Sequence, residues 1–144
     1  MKSVVEVEIN KSQQEVATLF ADPANTPKWM KDLERYEPVS GTQGLPGSTY
    51  RLIPKKGNMI FLATVVEQDM DKLKLNLEAS NVQVVITDKL IPLSANITKL
   101  ISEEVFNFKG IFNRLFGLFA QKNIKSAHRH HMESFKHFAE QHQT

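Results

Sequence analysis

Residues 111 to 141, IFNRLFGLFAQKNIKSAHRHHMESFKHFAEQ, contain no proline and one glycine, Gly117. Apolar residues recur there at intervals of three and four: Phe112, Leu115, Phe116, Phe119, Ala120, Ile124, Ala127, Phe135 and Phe138. His128 and His131 keep the same register. That period predicts one long helix with a single face toward the rest of the protein. Residues 33 to 108 carry the other period. In KLKLNLEA, Leu73, Leu75 and Leu77 oppose Lys72, Lys74, Asn76 and Glu78. LERYEPVSG, STYRLIP, MIFLATVVEQD, VQVVITDKLIP and ANITKLISEEVFNF read as further strands. The links between them are short, which implies antiparallel hairpins in a meander with one face covered and one wet.

The N-terminal part supplies little cover. SVVEVEI alternates as a strand, with Val5, Val7 and Ile9 on one face. Ser12 and Glu15 form a capping-box pattern ahead of Val16, Leu19 and Phe20, and Asp22-Pro23 ends that helix. A second short helix is expected around Thr26-Pro27-Lys28-Trp29-Met30, with proline at its first position. Two short helices cannot cover a seven-stranded sheet, so the long helix must lie across it. The expected fold is α+β: a curved antiparallel sheet wrapped around a long C-terminal helix, with two short helices between strands 1 and 2. The gap between a curved sheet and a straight helix is a natural cavity.

Composition closes off several functions. The length of 144 residues suits one domain, 1–144. There is no cysteine, which removes disulfides, thiol nucleophiles, zinc fingers and iron–sulfur clusters. A net charge of +2, with basic and acidic residues interleaved, gives no basic face for nucleic acid. The first residues, MKSVVEVEINKSQQE, alternate with glutamates and do not read as a signal peptide. No apolar run suits a membrane span or stable membrane insertion. The expectation is a cytoplasmic protein.

Several local motifs resemble the START-like (SRPBCC) superfamily, whose helix-grip fold is shared by plant pathogenesis-related allergens, lipid-transfer domains and bacterial polyketide cyclase/dehydrase-like proteins. The carriers are Glu15-Val16 with Phe20, the DPANTPKW segment ending in Trp29, and SGTQGLPGSTYRL with Gly41, Gly47 and Ser48. Asn96-Ile97-Thr98 and the terminal helix agree. The resemblance spans nearly the whole chain and is nearest to uncharacterised bacterial members. It implies a hydrophobic cavity between sheet and helix and specifies no reaction.

Candidate site residues follow from these faces. On the last strand, Thr98, Leu100, Ser102, Glu104, Phe106 and Phe108 share the face with the aromatics and are placed inward. A desolvated Glu104 could serve as acid or base; a rim position paired with a cation is the plainer reading. Asp88 follows Val82, Val84 and Ile86 in alternation. It either joins Glu104 inside or is turned out by a bulge or strand end, and the latter is expected. Trp29 and Tyr50 could border the pocket and each offer a hydrogen bond. Leu62, Leu75, Ile86, Phe112, Phe116, Phe119 and Asn123 complete the expected lining. Ile111 to Phe119 roofs the pocket, contacts a second copy in a homodimer, or binds a partner protein, and Gly117 could let it bend.

The histidines of SAHRHHMESFKHF lack the H-E-x-x-H pattern, so no metal or cofactor is expected. His131 is expected to pack inward with one nitrogen bonded; His128 shares its face, and the others lie on polar sides. Two functional classes remain: a carrier of an apolar molecule (lipid, isoprenoid, aromatic polyketide or quinone), and a cofactor-free cyclase- or dehydrase-type enzyme using Glu104, Asp88 or His131. The carrier is favoured because the carboxylates look dispersed. Convergence of acid and base on one point would favour the enzyme.

Overall fold

The computed structural model describes residues 1–143, except for the side chains of residues 112–114 and 116–119. The elements run β1 (Lys2–Ile9), α1 (Gln13–Ala21), a short 3-10 turn (Pro23–Asn25), α2 (Thr26–Trp29), β2 (Leu33–Ser40), β3 (Thr49–Pro54), β4 (Phe61–Gln68), β5 (Lys72–Ala79), β6 (Val82–Ser94), β7 (Ile97–Phe108) and α3 (Ile111–Gln141). All strand pairs are antiparallel, in one sheet ordered β1-β7-β6-β5-β4-β3-β2. This is the expected helix-grip architecture.

Local chemistry explains the boundaries. Ser12 Oγ accepts the amide of Glu15 at 3.2 Å and starts α1, while Asp22 closes it and its carboxylate accepts the amide of Ala24. β1 alternates strictly, burying Ser3, Val5, Val7 and Ile9. Register shifts after Leu33, Pro38, Val65 and Pro92 add local twist and help the sheet curl. Gly41 has a φ of +78°, and a Cβ there would stand 2.8 Å from the Cα of Ser48, so only glycine suits this loop between β2 and β3.

Two apolar clusters hold the molecule. The first joins Val5, Val7 and Ile9 of β1 to α1, Trp29, Leu90 and Leu100, and to Met132, Phe135 and Ala139 in the second half of α3. Phe135 is at its centre, edge-on to Phe20 at 4.5 Å and to Trp29 at 5.3 Å. Ser134 Oγ donates to the Trp29 carbonyl at 2.6 Å, tying α3 to α2. The second cluster lies within the concave face: Tyr50, Ala63, Val65, Leu77, Val82 and Val84. The helix is thus clamped by its C-terminal half. At its start, Ile111 and Leu115 are 76% and 51% exposed. The expected bend at Gly117 lies outside the described residues.

Phe135→Ala is expected to cost about 3–5 kcal/mol, because a fully buried ring leaves a cavity that its aromatic neighbours cannot fill. Denaturant unfolding of the variant beside the wild type measures it; a loss below about 1 kcal/mol would show that α3 is anchored elsewhere.

Candidate functional site

Two adjoining chambers lie between sheet and helices. The inner one, about 90 Å³, is lined by the rings of Phe20, Trp29, Tyr36 and Tyr50 and by Leu73, Leu75 and Leu77. The outer one, about 300 Å³, runs beneath Ile124, Ala127 and His128 of α3 toward Met59 and Phe61. Met30, Leu52, Leu77, Ile86, Glu104 and His131 belong to both walls. Tyr36 and Tyr50 stack with ring centroids 4.6 Å apart. Tyr50 Oη accepts the amide of Gly44 at 2.7 Å, which pins the β2–β3 loop against the inner chamber. Burial, then the neighbouring Tyr50, pushes the Tyr36 hydroxyl well above the usual tyrosine range, so it stays neutral.

Polar side chains from four elements meet on one side of this apolar space. Sheet register sets Asp88 of β6 opposite Ser102 of β7, and Ser3 of β1 opposite Glu104. α3 adds His128, which is 1% exposed. Its Nδ1 lies 2.8 Å from Ser3 Oγ, and its Nε2 lies 2.9 Å from Ser102 Oγ and 3.5 Å from Glu104 Oε1. Ser102 is in turn hydrogen-bonded to Asp88. Two proton assignments satisfy this chain: with Asp88 ionised, Ser3 donates to Nδ1, Nε2–H to Ser102 and Ser102 to Asp88; with Asp88 protonated, every donation reverses. Two buried polar atoms find no partner among the described residues, Asp88 Oδ1 and Trp29 Nε1. Both residues line the inner chamber.

Burial dominates the electrostatics. It raises the Asp88 carboxyl to about 7, against a smaller lowering by the Ser102 hydrogen bond. It raises Glu104 to about 7 as well, with Asp88 adding to the rise. His128 is lowered to about 4, first by burial and then by His131 and Arg129, so it is a neutral imidazole near pH 7. Both carboxyls are thereby pushed toward the protonated form near neutrality. Among the described residues, no lysine or arginine lines either chamber.

The candidates sort as follows. Trp29, Tyr50, Leu75, Ile86, Ser102 and Glu104 line the inner chamber, and Phe106 lines the outer. Asp88 corrects the expectation of a bulge or strand end: its register with β7 is unbroken from Val82 to Pro92, so alternation carries it inward to 3% exposure. Glu104 is no cation-paired rim residue; its one ion-pair contact among the described residues is His128. Leu62 faces away from the cavity at 41% exposure, because its neighbours Ala63 and Val65 take the inward positions of β4. Asn123 is exposed on α3. The side chains of Phe112, Phe116 and Phe119 lie outside the described residues. His131 is half-buried, with Nε2 3.1 Å from Asp32 Oδ1 at the chamber wall. His128 is the residue that sequence reasoning undervalued. Its signal was a polar side chain in the middle of an apolar stripe. Among the described residues, no cluster of three or more ligating side chains could hold a metal ion, and no helix is long and apolar enough to cross a membrane.

No family model and no curated protein sequence matches the chain. Solved structures do. A protein of Thermus thermophilus superposes with a TM-score of 0.77 at 14% identity, covering 96% of this chain and 97% of that one. Norcoclaurine synthase from Thalictrum flavum, solved with dopamine and hydroxybenzaldehyde, gives 0.72 at 14% identity, over 100% of this chain and 90% of its own. Ara h 8.0201 gives 0.72 at 15% identity, over 96% and 97%. The chain has the Bet v 1-like, helix-grip fold. At these identities the likeness is one of architecture, and such a fold hosts unrelated functions.

The buried carboxyls make stability depend on pH. An acid raised in the folded state stabilises fully below its unfolded value near 4 and loses that contribution as pH climbs through about 7. His128 acts in the opposite sense over nearly the same window, so a comparison of variants isolates one group. Asp88→Asn is expected to gain on the wild type by about 2–4 kcal/mol between pH 4 and pH 8, then run parallel to it. Urea unfolding across that range reads the difference. A constant difference would mean that Asp88 titrates as an ordinary aspartate.

Proposed function

We propose that the protein binds a small apolar molecule, of lipid, isoprenoid or aromatic polyketide type, in the two chambers between sheet and α3. The observation that carries this reading is the wall itself: aromatic rings and aliphatic side chains make up most of it, with few charged groups among them. Burial of the ligand's hydrocarbon supplies affinity at about 25 cal/mol per Å². Trp29 Nε1 and the Asp88–Glu104 side orient it, as a few placed polar groups do in an otherwise apolar site. The exposed Ile111 and Leu115 at the start of α3 leave a homodimer contact open as part of the same proposal.

A neutral polarity-sensitive dye such as Nile red tests this. It is expected to bind one to one, and Ile86→Trp is expected to weaken it at least about tenfold, because Ile86 walls both chambers and the added ring fills them. Undiminished binding by a folded Ile86→Trp would place the dye elsewhere and sink the reading.

The convergence of Asp88, Glu104, Ser102 and His128 favours a second reading, a cofactor-free proton-transfer enzyme of the cyclase or dehydrase type. A carboxyl that keeps its proton near pH 7 can act as acid, and its ionised partner as base. Molecules extracted from the wild type and from Asp88→Asn, each isolated from its host, would differ in mass by one water if the reaction is a dehydration. Identical masses would count against that reaction.

A further inference from the structure

Lysine and arginine are absent from the lining of the two chambers among the described residues, and histidines are the nearest groups that could carry positive charge: His128 beside Glu104 and His131 beside Asp32. Asp88 and Glu104 face the inner chamber from neighbouring strands. The groups packed around them are Ser102 from β7, Ser3 from β1, His128 and His131 from α3, and Tyr36 and Tyr50 from β2 and β3. His128 is bonded through both nitrogens and is neutral near pH 7. His131 is engaged by Asp32, an acid that lines the outer chamber. No lysine or arginine lines either chamber among the described residues. A carboxylate buried without a counter-charge is costly, and an incoming cation relieves that cost. Asp88 Oδ1 is also without a hydrogen-bond donor among the described residues, though it is fully enclosed and its side chain borders the chamber. The same chamber is walled by Phe20, Trp29, Tyr36 and Tyr50, whose ring faces attract positive charge.

Resting on the binding reading above, we infer that the ligand is a hydrophobic amine, its ammonium held by Asp88 and Glu104 in the inner chamber and its apolar body extending into the outer one. Without a ligand, burial pushes both carboxyls up to about 7, toward the protonated form. An ammonium seated there favours both carboxylates in the ionised form, so the pair's proton leaves for solvent as the amine enters. Alkylamines keep their own charge up to about pH 10, so the pH dependence belongs to the protein.

The test uses the full chain with Nile red bound, and a matched pair of competitors, phenylbutylamine and phenylbutanol. A charge-assisted hydrogen bond contributes about tenfold or more in affinity. The amine is therefore expected to displace the dye at least about tenfold better than the alcohol near pH 8, and this preference is expected to shrink toward about pH 5 as the pair takes up protons. Calorimetry in buffers of different ionisation heat is expected to show proton release with the amine and none with the alcohol. Asp88→Asn and, independently, Glu104→Gln are each expected to cut the preference at least about tenfold, with folding checked by circular dichroism. Equal displacement by amine and alcohol, with the dye bound, overturns the amine and leaves the cavity reading standing. Absence of dye binding overturns both.

Discussion

The clamp on the second half of α3 is the constraint from which the rest of the architecture follows. Phe135 has no exposure, touches Phe20 and Trp29, and sits among Val5, Val7 and Ile9 of the edge strand β1 and Leu100 of its neighbour β7. At 1.5 Å per residue, 31 helical residues span about 46 Å, far more than this cluster needs. The remainder must project along a sheet that curves. A straight rod and a curved surface touch at one end and part at the other. The chambers are that parting, and their position is set by where the clamp ends, between Met132 and His128.

A polar chain runs through this boundary. Ser3, His128, Ser102 and Asp88 link the helix to the adjacent strands β1, β7 and β6 by hydrogen bonds buried from water. Replacing them with apolar residues of like shape would be the cheaper way to fill a core. The chain also leaves one carboxylate oxygen unmatched among the described residues. Burial raises both carboxyls to about 7, so holding them ionised costs stability above neutral pH. The two apolar clusters stand against that cost, and both carboxyls lie beside the cavity.

Most of the backbone was legible in the residue order. The alternation of KLKLNLEA, the Ser12–Glu15 cap, Asp22-Pro23 and the proline-free stretch after Phe108 are short-range signals, and each marks a boundary the structure keeps. Inward faces on a regular strand were legible too, because period-two alternation leaves little freedom; Ser102, Glu104 and Phe106 are examples. Leu62 was misplaced because apolarity alone does not say which face of β4 is concave. Ala63, smaller and adjacent, holds the inward position. Asn123 failed for the matching reason on a helix, where a small error in phase moves a side chain from wall to solvent.

The sequence by itself determined the elements, their order, and the need for a long helix to cover an otherwise bare sheet. These follow from local periodicity and from the number of apolar faces that must be buried. What only the tertiary structure decided was the meeting of Asp88, Ser102, Ser3 and His128. The partners lie up to 125 positions apart in the chain, and no spacing rule links them. Their encounter depends on strand register, on the unbroken β6–β7 ladder, and on the rotation at which Phe135 locks α3. Each is a global packing outcome, and so the chemistry of the cavity became visible only with the fold.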